Sequence, residues 1–202
     1  MPKDIAVVSY DLNPTSSLTT DAVVIRDQLN SSGYSAQLVS QWVFNEPNTG
    51  TFKNADYWEK FDGVEICNFY VSWNLRELIK AGRPVMCVNA GYCDDLGLGE
   101  RPIEHVSQDV FNVVNNTHPI TAGSGLALGT IDVGNPVWVD SISTFNHYVD
   151  VLVTTLANQT VLAAHKSEPI SYFGWYRMSQ ASAGSQLFTL LRQTANWTFS
   201  GP

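Results

Sequence analysis

Short apolar runs alternate with helical stretches through the first ninety residues, and no other feature restricts the fold as much. Ile5-Ala6-Val7-Val8-Ser9-Tyr10 reads as a strand, and Thr20-Asp21 then opens a helical pattern of Ala22, Ile25 and Leu29 that stops before Gly33. A second strand is expected over 35–39, a third over 63–69, a helix from Trp73 to Ala81 ended by Gly82, and a fourth strand over 84–89. Strands that alternate with helices pair in parallel through right-handed crossovers, so this half predicts a parallel sheet. The stretch from Gln41 to Lys60 reads as a long polar loop carrying Trp42, Phe44, Phe52, Tyr57 and Trp58. A loop of that length in a compact domain often carries a contact or a function.

After Asn89 the pattern changes to a glycine-rich turn over 90–99 and a segment around 103–114. Short β runs follow at 129–133, 137–139, 149–156 and 161–164, separated by turn residues, and they predict an antiparallel extension. Ile170 to Trp175 is the last strand, and Leu187, Leu190, Leu191 and Trp197 share one stripe of a closing helix within 182–197. The expectation is one domain over residues 1–202, with no repeat and no linker.

A formal charge of −8 with only 11 basic residues, scattered along the chain, argues against nucleic acid and anionic membranes as partners. Charged residues are only 15% of the chain, so its surface relies on Ser, Thr, Asn and Gln. The sequence shows neither a signal-peptide apolar region nor a membrane-length apolar run, and the expectation is synthesis in the cytoplasm. Sequons begin at Asn30, Asn115, Asn158 and Asn196, and without a secretion signal they read as polar surface. Cys67, Cys87 and Cys93 are an odd number without metal-type spacing, and Cys67 and Cys87 lie in apolar runs where a thiol acts as a small hydrophobe.

Three stretches resemble the ThuA-like branch of the class I glutamine-amidotransferase-like superfamily: residues 84–91, residues 115–123, and the end formed by 170–175 with 190–197. The runs Val151-Leu152-Val153 and Thr160-Val161-Leu162-Ala163 are similar to that family's hairpin before the last strand. The resemblance implies a flavodoxin-like three-layer α/β sandwich, with a mostly parallel central sheet and an antiparallel extension in the C-terminal half. In the amidotransferase members a tight turn after a strand lifts a nucleophilic Cys, in a pattern like G-x-C-x-G. Matched to Val88-Asn89-Ala90-Gly91, that turn carries Asn89, whose amide is not a nucleophile. Shifted onto Gly91-Tyr92-Cys93-Asp94-Asp95, it offers Cys93 with Asp95 replacing the second glycine, and a carboxylate beside a thiol disfavours the thiolate. The family's His with an acidic residue two positions on is approached by His165-Lys166-Ser167-Glu168, with the spacing off by one.

The expectation is therefore a non-catalytic structural or binding module with no cofactor and no metal. Its partners would be other protein subunits of an assembly such as a virion, or a carbohydrate. Binding residues are sought at Trp42, Asn89, Tyr92, Trp138 and Trp175, since aromatics near loops and strand ends stack on sugars or anchor interfaces. The alternative is a small hydrolase or amidotransferase-like enzyme at the 89–95 turn, with Cys93 or Asp94 reactive and His118 or His165 as base. Asp94, Asp95, Glu100, Glu104 and His105 could ligate a divalent cation, but they match no ligand repeat and read as a solvated acidic loop. Ser and Thr of the first strand–helix turn, 11–17, could hold a phosphate group or simply start a helix.

Overall fold

The computed structural model describes residues 1–10, 12–13, 15–41, 59–67, 82–88, 93, 96–99, 104–143 and 146–201. The expected helix over 73–81 lies outside them, as does most of the long loop over 41–60. Strands β1 (Asp4–Ser9), β2 (Ser35–Ser40), β3 (Gly63–Ile66), β4 (Val85–Cys87) and β9 (Ile170–Phe173) are all parallel, in the order β2-β1-β3-β4-β9. The sheet continues from β9 through β8 (Thr160–His165), β7 (Val149–Thr154) and β5 (Glu104–Val113) to β6 (Gly129–Ser141), with every further pairing antiparallel. The parallel half and the antiparallel extension both stand as the sequence predicts.

Helix α1 (Ser17–Ser31) begins three residues before the expected start, with Ser16 in extended geometry as its N-cap. Its stripe Ala22, Ile25 and Leu29 is fully buried on one face of the sheet. The same face receives α3 (Gln186–Ser200), whose Leu187, Leu190 and Leu191 are each buried, a gain of roughly 1.5–3 kcal/mol per side chain. Thr198 Oγ1 of α3 lies 2.6 Å from Ser171 Oγ on β9, so the buried hydroxyls satisfy each other. A short helix α2 (Pro119–Gly123) packs beside α3. On the other face of the sheet, Phe61, Cys93, Leu96, Leu98 and Ile142 pack with Tyr172 and Cys87.

The two β runs expected over 129–133 and 137–139 are one strand, β6. β5 pairs with it on both sides of residues 134–136, and a shift of register between Gln108 and Val110 absorbs the irregularity at Gly134, where φ is +91°. The outer edge of β6 is covered by the chain that follows β9. Ser185 Oγ donates to Val133 O at 3.0 Å, Trp138 N donates to Gln180 Oε1 at 3.4 Å, and Asp140 N donates to Gly174 O at 2.8 Å. That cover removes an aggregation-prone edge and brings β6 over the carboxyl ends of the parallel strands.

Glu65 on β3 is fully buried and neither carboxyl oxygen has a hydrogen-bond partner among the described residues. Burial first, and the Cys87 thiol second, push its pKa well above the ordinary 4.5. A raised native value means that Glu65 contributes fully below about pH 4.5, where both states are protonated, and that this stability is lost as pH rises toward the native value. Glu65→Gln is therefore expected to flatten this loss and to stabilise the chain above neutrality, by about 1.4 kcal/mol for each pH unit between the two values. Urea titrations of both proteins across pH check it, and parallel stability profiles would show that Glu65 is ionised in the native chain.

Candidate functional site

The structure separates the residues expected to serve a cysteine mechanism. Cys93 follows β4 at the carboxyl edge and is fully buried among apolar side chains on the face away from α1 and α3. His118 sits on the opposite face, its ring 5.3 Å from that of Trp197 in α3. Its Nδ1 accepts from Ile120 N and caps α2; burial lowers its pKa, with Asp150 acting the other way. His165 ends β8, which runs antiparallel to β9, so it lies at the amino edge of the parallel strands. There its Nδ1 accepts from Ser167 N and Glu168 N, and its ring stacks 6.2 Å from Tyr148. The Cys93 pairing with His118 or His165 is thus corrected: one histidine is a helix cap, the other a turn acceptor, and neither approaches the thiol.

Trp175 is also corrected as a surface binder. The segment after β9 turns inward there, and the indole is fully buried, 5.1 Å from Phe111 and 4.9 Å from Phe173. Trp138 is 41% exposed, as a binding residue must be. Trp42, Asn89, Tyr92 and Asp94 lie outside the described residues.

The structure instead assembles a cleft of about 460 Å3 at the carboxyl edge, lined by Ser17, Trp138, Tyr176, Arg177, Ser179 and Gln180. That volume is within the roughly 300–1,000 Å3 of small-molecule sites. Its floor hangs on Asp21 of α1, which is fully buried. Asp21 accepts from Ser179 N at 2.9 Å, Ser179 Oγ at 2.5 Å and Arg177 Nη1 at 3.2 Å, and Arg177 Nη1 also donates to Ser17 Oγ at 2.8 Å. These bonds fasten the turn Met178–Gln180 to the first helix. Trp138 of β6 forms the wall, and beside it His105 pairs with Asp140 and Ser107 with Trp138, so these four side chains project from one face of the β5–β6 pair.

The ionisable side chains in and beside the cleft have partners. Arg177 is held by Asp21, and His105 Nδ1 lies 2.5 Å from Asp140 Oδ1. Tyr176 stands between the pairs, with the Arg177 guanidinium 5.4 Å from its ring centroid and His105 edge-on at 6.1 Å. Burial and then Asp140 raise its pKa, while Arg177 opposes them. Trp138 offers the exposed ring, and Ser17, Ser179, Gln180 and Arg177 supply donors and acceptors around it.

Sequence reasoning singles out Trp138 but misses the partners that build the cleft. One signal is present: Asp21 lies four residues before Ile25, on the apolar stripe of α1, where a carboxylate is unexpected without a partner. His105 reads in sequence as a candidate metal ligand together with Asp94, Asp95, Glu100 and Glu104, of which Asp94, Asp95 and Glu100 lie outside the described residues; among the described residues no group of three or more His, Cys, Asp or Glu side chains is placed to hold a metal ion. Among the same residues, no helix is long and apolar enough to cross a membrane.

No family model matches the sequence, and no curated protein matches it either. Solved structures do resemble it. A protein assigned as one of the subunits of GMP synthase, from Thermoplasma acidophilum, superposes with a TM-score of 0.60 at 13% identity, over 98% of this chain and 96% of that one. A ThuA-like protein from Bacteroides uniformis gives 0.62 at 12% identity, over 98% and 91%. A glutamine amidotransferase from Thermotoga maritima gives 0.57 at 11% identity, over the whole of both chains. The fold is thus the one shared by ThuA-like and glutamine-amidotransferase-like structures, as the sequence resemblance implies.

Proposed function

We propose that this chain uses an amidotransferase-like scaffold as a ligand-binding module without the cysteine chemistry, and that its ligand is a neutral polar molecule of saccharide type. The observation that carries this reading is the cleft itself: one open indole, an arginine already paired with a buried aspartate, and a ring of hydroxyl, amide and guanidinium groups. A sugar has one C–H face to lay on an aromatic ring and a rim of hydroxyls to hydrogen-bond. A nucleobase has two apolar faces, whereas the cleft offers one exposed indole, with the Arg177 guanidinium already over the Tyr176 ring. Among the described residues of the cleft the one guanidinium is already paired with Asp21, which disfavours phosphate esters.

The combination of Trp138, Tyr176 and Arg177 favours a second reading, since these residue types dominate the energetics of protein interfaces. In that reading the cleft receives a polar loop from another member of an assembly. Ligand-observed NMR with a saccharide panel and a polar fragment panel tests the first reading. Hits are expected to weaken by about tenfold or more, ~1.4 kcal/mol, in both Trp138→Ala and Arg177→Ala. Hits that bind both variants as tightly as the unmodified chain would place the ligand elsewhere.

A further inference from the structure

The His105–Asp140 pair fixes the orientation of an exposed imidazole. Asp140 is 6% exposed in its side chain and His105 is 67% exposed, so the acid is buried and the imidazole reaches solvent. Asp140 is also fixed through its backbone: its N donates to Gly174 O, and its O accepts from Tyr172 Oη at 2.6 Å. A carboxylate on Nδ1 selects the tautomer with its proton there and leaves the Nε2 lone pair turned away from the acid. His105 shares the hairpin face with Trp138 and packs edge-on against Tyr176, which lines the cleft. An oriented base beside an open aromatic and polar cleft is the arrangement that general-base catalysis requires.

We propose that His105 is a general base at this cleft, with Asp140 as its positioning residue, and that it hydrolyses an ester of the polar ligand held there; the inference rests on the binding reading above. His105 Nε2 takes a proton from water as the water oxygen bonds to the acyl carbon. The tetrahedral oxyanion collapses, the ester C–O bond breaks, and the imidazolium returns the proton to the leaving alkoxide. The products are a carboxylic acid and an alcohol, and the histidine ends neutral. No oxidant, reductant or cofactor enters the balance. An ester suits a site with a base and no nucleophile, because an alkoxide leaves more readily than an amide nitrogen.

The full chain is assayed with p-nitrophenyl acetate and p-nitrophenyl butyrate. His105→Gln is expected to lower kcat/KM by about 100-fold, the lower end of what a positioned base supplies. Asp140→Asn should lower kcat and shift the pH midpoint of the rate, with Asp140→Glu recovering part of it, whereas a merely structural Asp would leave that midpoint in place. The charged and titratable groups around His105, among the described residues, are Asp140 and Tyr176, with Arg177 beside Tyr176 and Asp21 behind Arg177. His147 lies against Tyr148 before β7, at the amino edge beside His165 and away from the cleft, so Cys93→Ala and His147→Gln should keep the unmodified rate. A rate unchanged in His105→Gln, or lowered equally in His147→Gln, overturns the proposal. If the ester rate ignores His105 while Trp138→Ala still abolishes ligand binding, the base falls and the binding reading stands; binding unchanged in Trp138→Ala removes that reading too.

Discussion

Gly174→Ala is expected to destabilise the chain by about 3 kcal/mol or more and to lower its melting temperature by roughly 6–12 °C. A Cβ at this position would run into the carbonyl oxygen of Asp140 and approach Tyr172 Oη at 2.8 Å and Val161 O at 3.0 Å. Two of these neighbours are backbone oxygens, which cannot rotate aside. Relief therefore requires β9 to part from β6 and β8, at the cost of the bonds from Gly174 N to Val161 O and from Asp140 N to Gly174 O. Because the same junction sets the height of Asp140 and Tyr176, the cleft should fail along with the fold. Thermal unfolding of the variant decides it, and a drop of under about 2 °C would mean that the junction is looser than these contacts imply.

Asp21→Ala should cost a similar amount, about 3–5 kcal/mol, by a different route. The carboxylate is fully buried and accepts three hydrogen bonds, so its removal leaves the Ser179 N–H without its acceptor and the Arg177 guanidinium with Ser17 Oγ but no counter-charge. Asp21→Asn keeps an acceptor and is expected to lose about half as much. The double variant Asp21→Ala/Arg177→Met should regain most of the stability lost in Asp21→Ala, because the uncompensated cation is gone. Chemical denaturation of the unmodified chain and these three variants checks both statements. If Asp21→Ala costs less than about 1 kcal/mol, the pair is a surface contact in effect and does not organise the cleft.

The parallel half of the fold is legible because its strands are short, mostly apolar segments closed by turn chemistry, and the stripe of α3 is legible because Leu187, Leu190 and Leu191 repeat at helical spacing. The break expected within β6 reflects Gly134 and Pro136 read locally, when pairing with β5 decides the strand. Trp175 misleads because a ring beside a glycine at a strand end looks exposed, whereas the chain folds it between Phe111 and Phe173. His118 reads as a candidate base until its Nδ1 is seen to cap α2. The cleft is the least legible part. Arg177 and Asp21 stand 156 residues apart, and no periodicity or spacing connects them before the sheet brings the end of β9 to the start of α1. Sequence alone locates Trp138, and for the turn after β4 it offers two alignments, one with Asn89 and one with Cys93 at the family's nucleophile position.

If ligand recognition belongs to the cleft of Trp138 and Arg177, Cys93 is a core residue and its thiol is inert in the folded chain. The most direct test is the alkylation of Cys93 by iodoacetamide in the folded protein from about pH 5 to about pH 9, read by mass spectrometry against Cys67 and Cys87. All three thiols are buried, so Cys93 is expected to label as slowly as the other two and only as the chain unfolds. Rapid labelling of Cys93 alone, with an apparent pKa well below the ~8.5 of a free thiol, would contradict this and return the cysteine to the active site.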